Sequence, residues 1–110
     1  MALVTIEQVN LALRLDLVAS GSPLTFAADE RTPDIELKIS QAEDAILDYL
    51  KAPEDRWTAD DVPGRVSAAI ILAVRGLLDG DDDLLAGLYD NAKGNPIVGL
   101  LQRLRDPALA

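Results

Sequence analysis

The alternation of apolar and polar positions divides the chain into helical stretches separated by irregular ones, and residues 62–80 are the stretch the rest is organised around. At about 100° per residue, Val66, Ala69, Ile70, Ala73, Val74 and Leu77 share one face of a helix. Ile71 and Leu78 lie outside that arc, and Ala68 and Leu72 lie on the far side. A surface helix shows one apolar stripe, whereas this one is apolar on nearly every side and carries no charge between Arg65 and Arg75. It must be enclosed by its own domain, or by its domain and a neighbouring subunit. Pro63 near the start and Gly80 at the end are the expected punctuation. Arg75 and Gly76 interrupt it well short of the about 20 apolar residues a membrane span needs.

The segments around it have single apolar faces. In residues 1–16, Thr5 is placed as an N-cap with Gln8 completing a capping box, and Val4 and Val9 as a hydrophobic staple. Ile6, Val9 and Leu13 form the face of a short helix ending near Leu15-Asp16. Residues 32–51 read as the clearest helix, with Thr32 as cap, Pro33 at the first position, and Asp34 and Glu36 near the positive end of the helix dipole. Its stripe is Ile35, Ile39, Ala42, Ile46, Tyr49 and Leu50; Lys38, Gln41, Glu43, Asp44, Asp48 and Lys51 make an outer face that reads as solvated, with a surface meeting DNA or a basic partner as the alternative. A closing helix starts at Asn95-Pro96, buries Ile97, Leu100, Leu101 and Leu104, and ends at Asp106-Pro107.

The connections are long. Residues 17–31 hold no sustained period; Gly21, Ser22 and Pro23 break them and Leu24-Thr25-Phe26 forms a brief extended piece. A loop of this length in a small domain serves binding or is a tolerated insertion. Trp57, in the polar loop 52–61, is expected to cover an edge of the core, and Asp60 or Asp61 to cap the central helix. Asp79-Gly80-Asp81-Asp82-Asp83 lacks the EF-hand spacing and reads as a helix end running into a short turn, Leu84–Tyr89.

Composition narrows the class. The 110 residues suit one domain, 1–110, and 49% hydrophobic content indicates a folded chain. With four aromatics, the core is aliphatic, which suits helix packing better than a sheet. The fold class expected is all-α: a small helical bundle with a central buried helix and long connecting loops. Nineteen acidic against ten basic residues give a net charge of −9, without the basic footprint of a nucleic-acid binder. The N-terminus has no basic flank followed by an apolar signal core, so the chain reads as made and kept inside the cell.

Catalytic chemistry finds few candidates. Cysteine and histidine are absent, which removes thiolate metal sites, Cys nucleophiles and the commonest general base. Glu43 and Asp44 are adjacent on a helix and diverge; Asp44 and Asp48 share only the exposed face. Gly76, Gly80 and Gly87 lack the spacing and ending of a phosphate loop. No enzyme, cofactor or metal site is expected; the residues point to a small acidic helical protein that contacts other proteins.

Four segments in order extend this reading: Thr5-Ile6-Glu7-Gln8 leading to Leu13-Arg14-Leu15-Asp16; Pro33-Asp34-Ile35-Glu36-Leu37-Lys38-Ile39 through Ala42-Glu43 to Asp48-Tyr49-Leu50; Val62-Pro63 opening the Ala-Ile-Leu-rich helix; and Asn95-Pro96-Ile97-Val98-Gly99-Leu100-Leu101 closing on Leu104-Arg105-Asp106-Pro107-Ala108-Leu109. Together, over most of the chain, they resemble the head–tail connector (adaptor, or head-completion) proteins of long-tailed double-stranded DNA phages and prophages. The stretch 17–31 departs from that pattern, where many members have a shorter acidic link.

The resemblance implies a non-catalytic all-α subunit of the virion, present in the host cytoplasm during assembly. It implies a homo-oligomeric ring, dodecameric in the virion in step with the portal protein. That ring would extend the DNA channel without specific DNA binding and without a membrane, and dock the next head-completion or tail protein. An acidic channel wall would repel the DNA backbone and let it slide. A ring needs a heterologous interface. For its apolar part the expectation is Ala68, Ile71, Leu72 and Leu78, with Arg103 or Arg105 meeting Glu43 or Asp44 of the neighbour. The alternative is that Ile71 and Leu78 are covered by the terminal helices of the same subunit. A different function class, a small acidic interaction protein or DNA mimic binding a basic partner, needs carboxylates gathered on one surface.

Overall fold

Four helices share one aliphatic core in the computed structural model, which describes residues 3–21, 25–51, 56–58, 60–80 and 95–101. They are α1 (Ile6–Leu13), α2 (Thr32–Leu50), α3 (Gly64–Asp79) and α4 (Pro96–Leu101). The fold is all-α; among the described residues the only β pairing is an isolated antiparallel bridge between Ser20 and Thr25. The break at Ser22-Pro23, Leu24 of the expected extended piece, the expected turn 84–89, Leu104 and the expected helix end at Asp106-Pro107 lie outside the described residues.

The central helix is central in fact: α3 packs against α1, α2 and α4, and α2–α3 is the most extensive pairing. Val66, Ala69, Ile70, Ala73 and Val74 have no exposed surface. Burying each valine or isoleucine of that face contributes about 1.5–3 kcal/mol. Opposite them α2 contributes Ile35, Ile39, Ala42, Ile46, Tyr49 and Leu50, the whole expected stripe. Leu77 alone of the α3 face is only half-buried.

Helix α1 starts as its sequence requires. Thr5 Oγ1 accepts the Gln8 N–H (3.2 Å), and Gln8 Oε1 accepts the Thr5 N–H (2.9 Å), closing the capping box. Val4 and Val9 are both buried. The helix stops earlier than expected, at Leu13, because Arg14 takes the left-handed conformation (φ 53°) as its C-cap. In α4, Asn95 Oδ1 accepts the N–H groups of Ile97 (2.9 Å) and Val98 (3.3 Å), the expected cap. Trp57 packs half-buried against the core edge, with the Arg56 guanidinium 4.9 Å from its ring centroid.

Two caps differ from expectation. Thr32 is the first residue of α2, not its cap; Arg31 precedes it without a side-chain cap, and the Thr32 hydroxyl donates to the Phe26 carbonyl (2.6 Å). The loop arrives already folded back on itself, so that hydroxyl serves the loop. For α3, neither Asp60 nor Asp61 is the cap. Pro63 holds that position in an extended conformation (ψ 142°), and its carbonyl accepts the N–H groups of Val66 and Ser67. Asp61 instead accepts the backbone N–H and the hydroxyl of Thr58, a local turn that forms before the helix begins. Gly80 closes α3 at φ 75°, where only a glycine sits without strain.

Candidate functional site

The expected contact residues separate once the chain is folded. Glu43 does not lie on the solvated face. It is 7% exposed, and its Oε1 accepts the backbone N–H groups of Leu3 and Val4, so it fastens the chain ahead of α1 onto α2. It is spent inside its own subunit and is withdrawn as a partner for a neighbour's arginine. Asp44, one position on, is exposed. Arg103 and Arg105 lie outside the described residues.

On α3, Ala68 is exposed, and Ile71, Leu72 and Leu78 are half-buried against the core. They share the outer side of the helix with Arg75 and Asp79, which form a 3.7 Å i,i+4 pair with both side chains about two-thirds exposed (66% and 65%). A pair so exposed adds little stability and leaves both charges accessible. Among the described residues, Ile71 and Leu78 are covered in part, not wholly.

The last turn of this outer face opens into a cleft of about 390 Å³ between the ends of α1 and α3. Leu13, Arg14 and Leu15 line one side, and Arg75, Leu78 and Asp79 the other. Its shape depends on the left-handed turn at Arg14, repeated at Asp16 (φ 53°). Each such residue costs roughly 1–2 kcal/mol relative to right-handed backbone.

What holds that turn is a polar latch from the 17–31 loop. Arg31 donates from Nη1 to the Leu15 carbonyl (2.9 Å) and from Nη2 to the Asp16 carbonyl (3.1 Å). The same guanidinium grips Asp29 with two bonds, Nε to Oδ1 (3.1 Å) and Nη2 to Oδ2 (3.0 Å). Asp29 is 6% exposed and also accepts the N–H groups of Val18 (2.7 Å) and Arg31 (2.9 Å). The side-chain bonds from Arg31, then these backbone donors, hold the Asp29 carboxyl well below the usual carboxylate range. Asn10 adds a further tie, accepting the Leu17 N–H at its Oδ1 (3.0 Å).

A second exposed surface lies on α2 opposite its core stripe. Asp34, Leu37, Gln41, Asp44 and Asp48 fall within one narrow arc of the helix, and all are exposed. Leu37 is 56% exposed, and among the described residues it is one of three large apolar side chains left outside, with Leu11 and Val18. Periodicity and spacing assign no contact role to Leu37, Arg14 or Arg75. The signal for Leu37 is present in the pattern, a leucine two positions from Ile35 and Ile39 and hence about 200° away from each; the signal for the cleft is not, since it needs two helix ends to meet. Among the described residues no group of three or more His, Cys, Asp or Glu could hold a metal ion. No family model, curated protein or solved structure matches the chain.

Proposed function

We propose that this chain is a ring-forming subunit of a head–tail connector, placed between portal and tail and serving assembly, not catalysis. The observation that carries the reading is α3. Its inner face is buried except for Leu77, while its outer face, Ala68, Ile71, Leu72 and Leu78, is only partly covered among the described residues and runs into an open cleft. A subunit that completes its burial by assembling needs such a surface on the element that organises its core. The ordered resemblance of the four segments supplies the kind of assembly. In the ring, the acidic balance of −9 keeps the channel from holding the DNA backbone.

The competing reading, a small acidic DNA mimic, is weakened by where the carboxylates go. Asp29, Glu43 and Asp61 are taken up by groups of their own chain, and Asp34 is paired with Lys38 (2.7 Å). What remains on α2 is interrupted by Leu37 and Gln41. Electron microscopy of the purified protein, alone and mixed with a phage portal protein, is the test. Closed rings, free or seated on the portal, are expected. A protein that stays monomeric with the portal, yet competes with DNA for a basic partner, would replace this reading with the mimic.

A further inference from the structure

The acidic face of α2 and the α1–α3 cleft carry opposite chemistry, a leucine among carboxylates against a recess flanked by two arginines, and they lie on different parts of the molecule. The α2 stripe is a single leucine set among carboxylates: Leu37, with Asp34 one turn before it and Asp44 and Asp48 beyond Gln41. The cleft is a recess lined by Ala12, Leu13, Leu15 and Leu78 together with two arginines and one aspartate. In a chain of net charge −9, most of one copy's surface repels the acidic stripe of another. The cleft is an exception. Of the other described cations, Arg31 is occupied in the latch, Lys38 on Asp34 and Arg56 over Trp57, while Lys51 and Arg65 are exposed but do not line the cleft. Arg14 makes no ion pair or hydrogen bond among the described side chains, and Arg75 holds only the long, exposed contact to Asp79.

We propose that a second copy of this chain occupies the cleft: Leu37 of one subunit seats between the ends of α1 and α3 of the next, with Asp44 directed to Arg14 and Arg75. Leu37 gains the enclosure its own subunit does not provide, and covers the exposed side of Leu78. Because knob and recess are different surfaces, the contact is heterologous and propagates in one direction, as a ring does when its rotation closes. The proposal rests on the connector reading and makes it specific: the neighbour is met by the acidic face of α2 and by Arg14 and Arg75, not by Glu43.

The absence of cysteine from the sequence makes the contact directly testable by disulfide trapping. Leu37→Cys and Asp79→Cys alter exposed positions and leave the core untouched. Under mild oxidation, an equimolar mixture of the two single variants is expected to yield the mixed dimer several-fold faster than either variant alone yields its own. Asp44→Arg on the Leu37→Cys chain is expected to slow that linkage, and Arg75→Asp on the Asp79→Cys chain to restore it. Dominant self-linking of Leu37→Cys would mean a two-fold contact between α2 faces, and dominant self-linking of Asp79→Cys would mean a cleft against a cleft; either overturns the proposal. Rings of the unmodified protein without selective mixed linkage would overturn this contact and leave the connector reading standing. Selective linkage without closed rings, alone or on the portal, would support the contact and remove the connector reading.

Discussion

Arg31 and Asp29 form a two-bond ion pair at the base of the 17–31 loop, and two further donors of the same guanidinium reach the carbonyls of Leu15 and Asp16. One side chain thus ties the exit of α1 to the entrance of α2. The planar, forked guanidinium is what allows this, because it presents several donors in fixed directions at once. A loop that reads as irregular is thereby anchored at both its ends.

Replacing Arg31 by lysine keeps the charge but offers a single point of contact, so the fork is lost. Amide hydrogen exchange of Arg31→Lys is expected to show faster exchange at Val18 and Arg31, while Ile70, Ala73 and Val74 in α3 keep their protection. Uniform loss of protection across α3 would show that the latch supports the whole fold and not the loop and cleft alone.

The latch also has a pH signature. Asp29 has a folded-state value depressed first by the Arg31 side chain and then by the Val18 and Arg31 N–H groups, and Asp61 is lowered by the N–H and hydroxyl of Thr58. A carboxylate depressed in the folded state binds fewer protons there than in the unfolded chain, so its contribution is complete above the unfolded value of about 3.9. It is lost as the pH falls from there toward the folded value. The melting temperature is expected to drop below about pH 4 less steeply in Asp29→Asn than in the parent chain. Equal slopes would remove Asp29 from the acid transition.

Glu43 accepts two buried backbone N–H groups, those of Leu3 and Val4, and its loss leaves both without their acceptor. Glu43→Ala is expected to cost at least about 1.5–3 kcal/mol in urea denaturation, the range for a single hydrogen bond to a charged group. A cost below about 0.5 kcal/mol, typical of an ordinary surface site, would contradict this placement.

Ile70 and Ile71 are neighbours in sequence with opposite expected outcomes. Ile70 has no exposed surface, so Ile70→Ala is expected to cost about 2–5 kcal/mol and Ile70→Asp to abolish folding. Ile71 is half-buried on the outer side of α3, so Ile71→Asp is expected to keep its helical circular dichroism and lose assembly into rings. An unfolded Ile71→Asp chain would assign that side chain to the intramolecular core.

Much of the architecture was legible in the residues themselves. The α3 inner face, the α2 stripe, the Thr5–Gln8 capping box and the Asn95 cap follow from spacing and local hydrogen-bonding capacity, which act within a few residues of each other. They made the all-helical class and the central place of α3 readable without a structure. The tertiary fold decided what depends on groups far apart in the chain. Glu43 looks solvated by its position on the helix, yet it is buried because the backbone of Leu3 and Val4 crosses that side of α2, 40 residues away in sequence. Asp29 and Arg31 look like loop charges until the left-handed turn at Arg14 and Asp16 brings two carbonyls into reach. The cleft beside Arg75 exists only where two helix ends meet. Periodicity reports which face of a helix is apolar; which polar side chains are enclosed is settled by the segment that packs over them, and that segment is chosen by the whole fold.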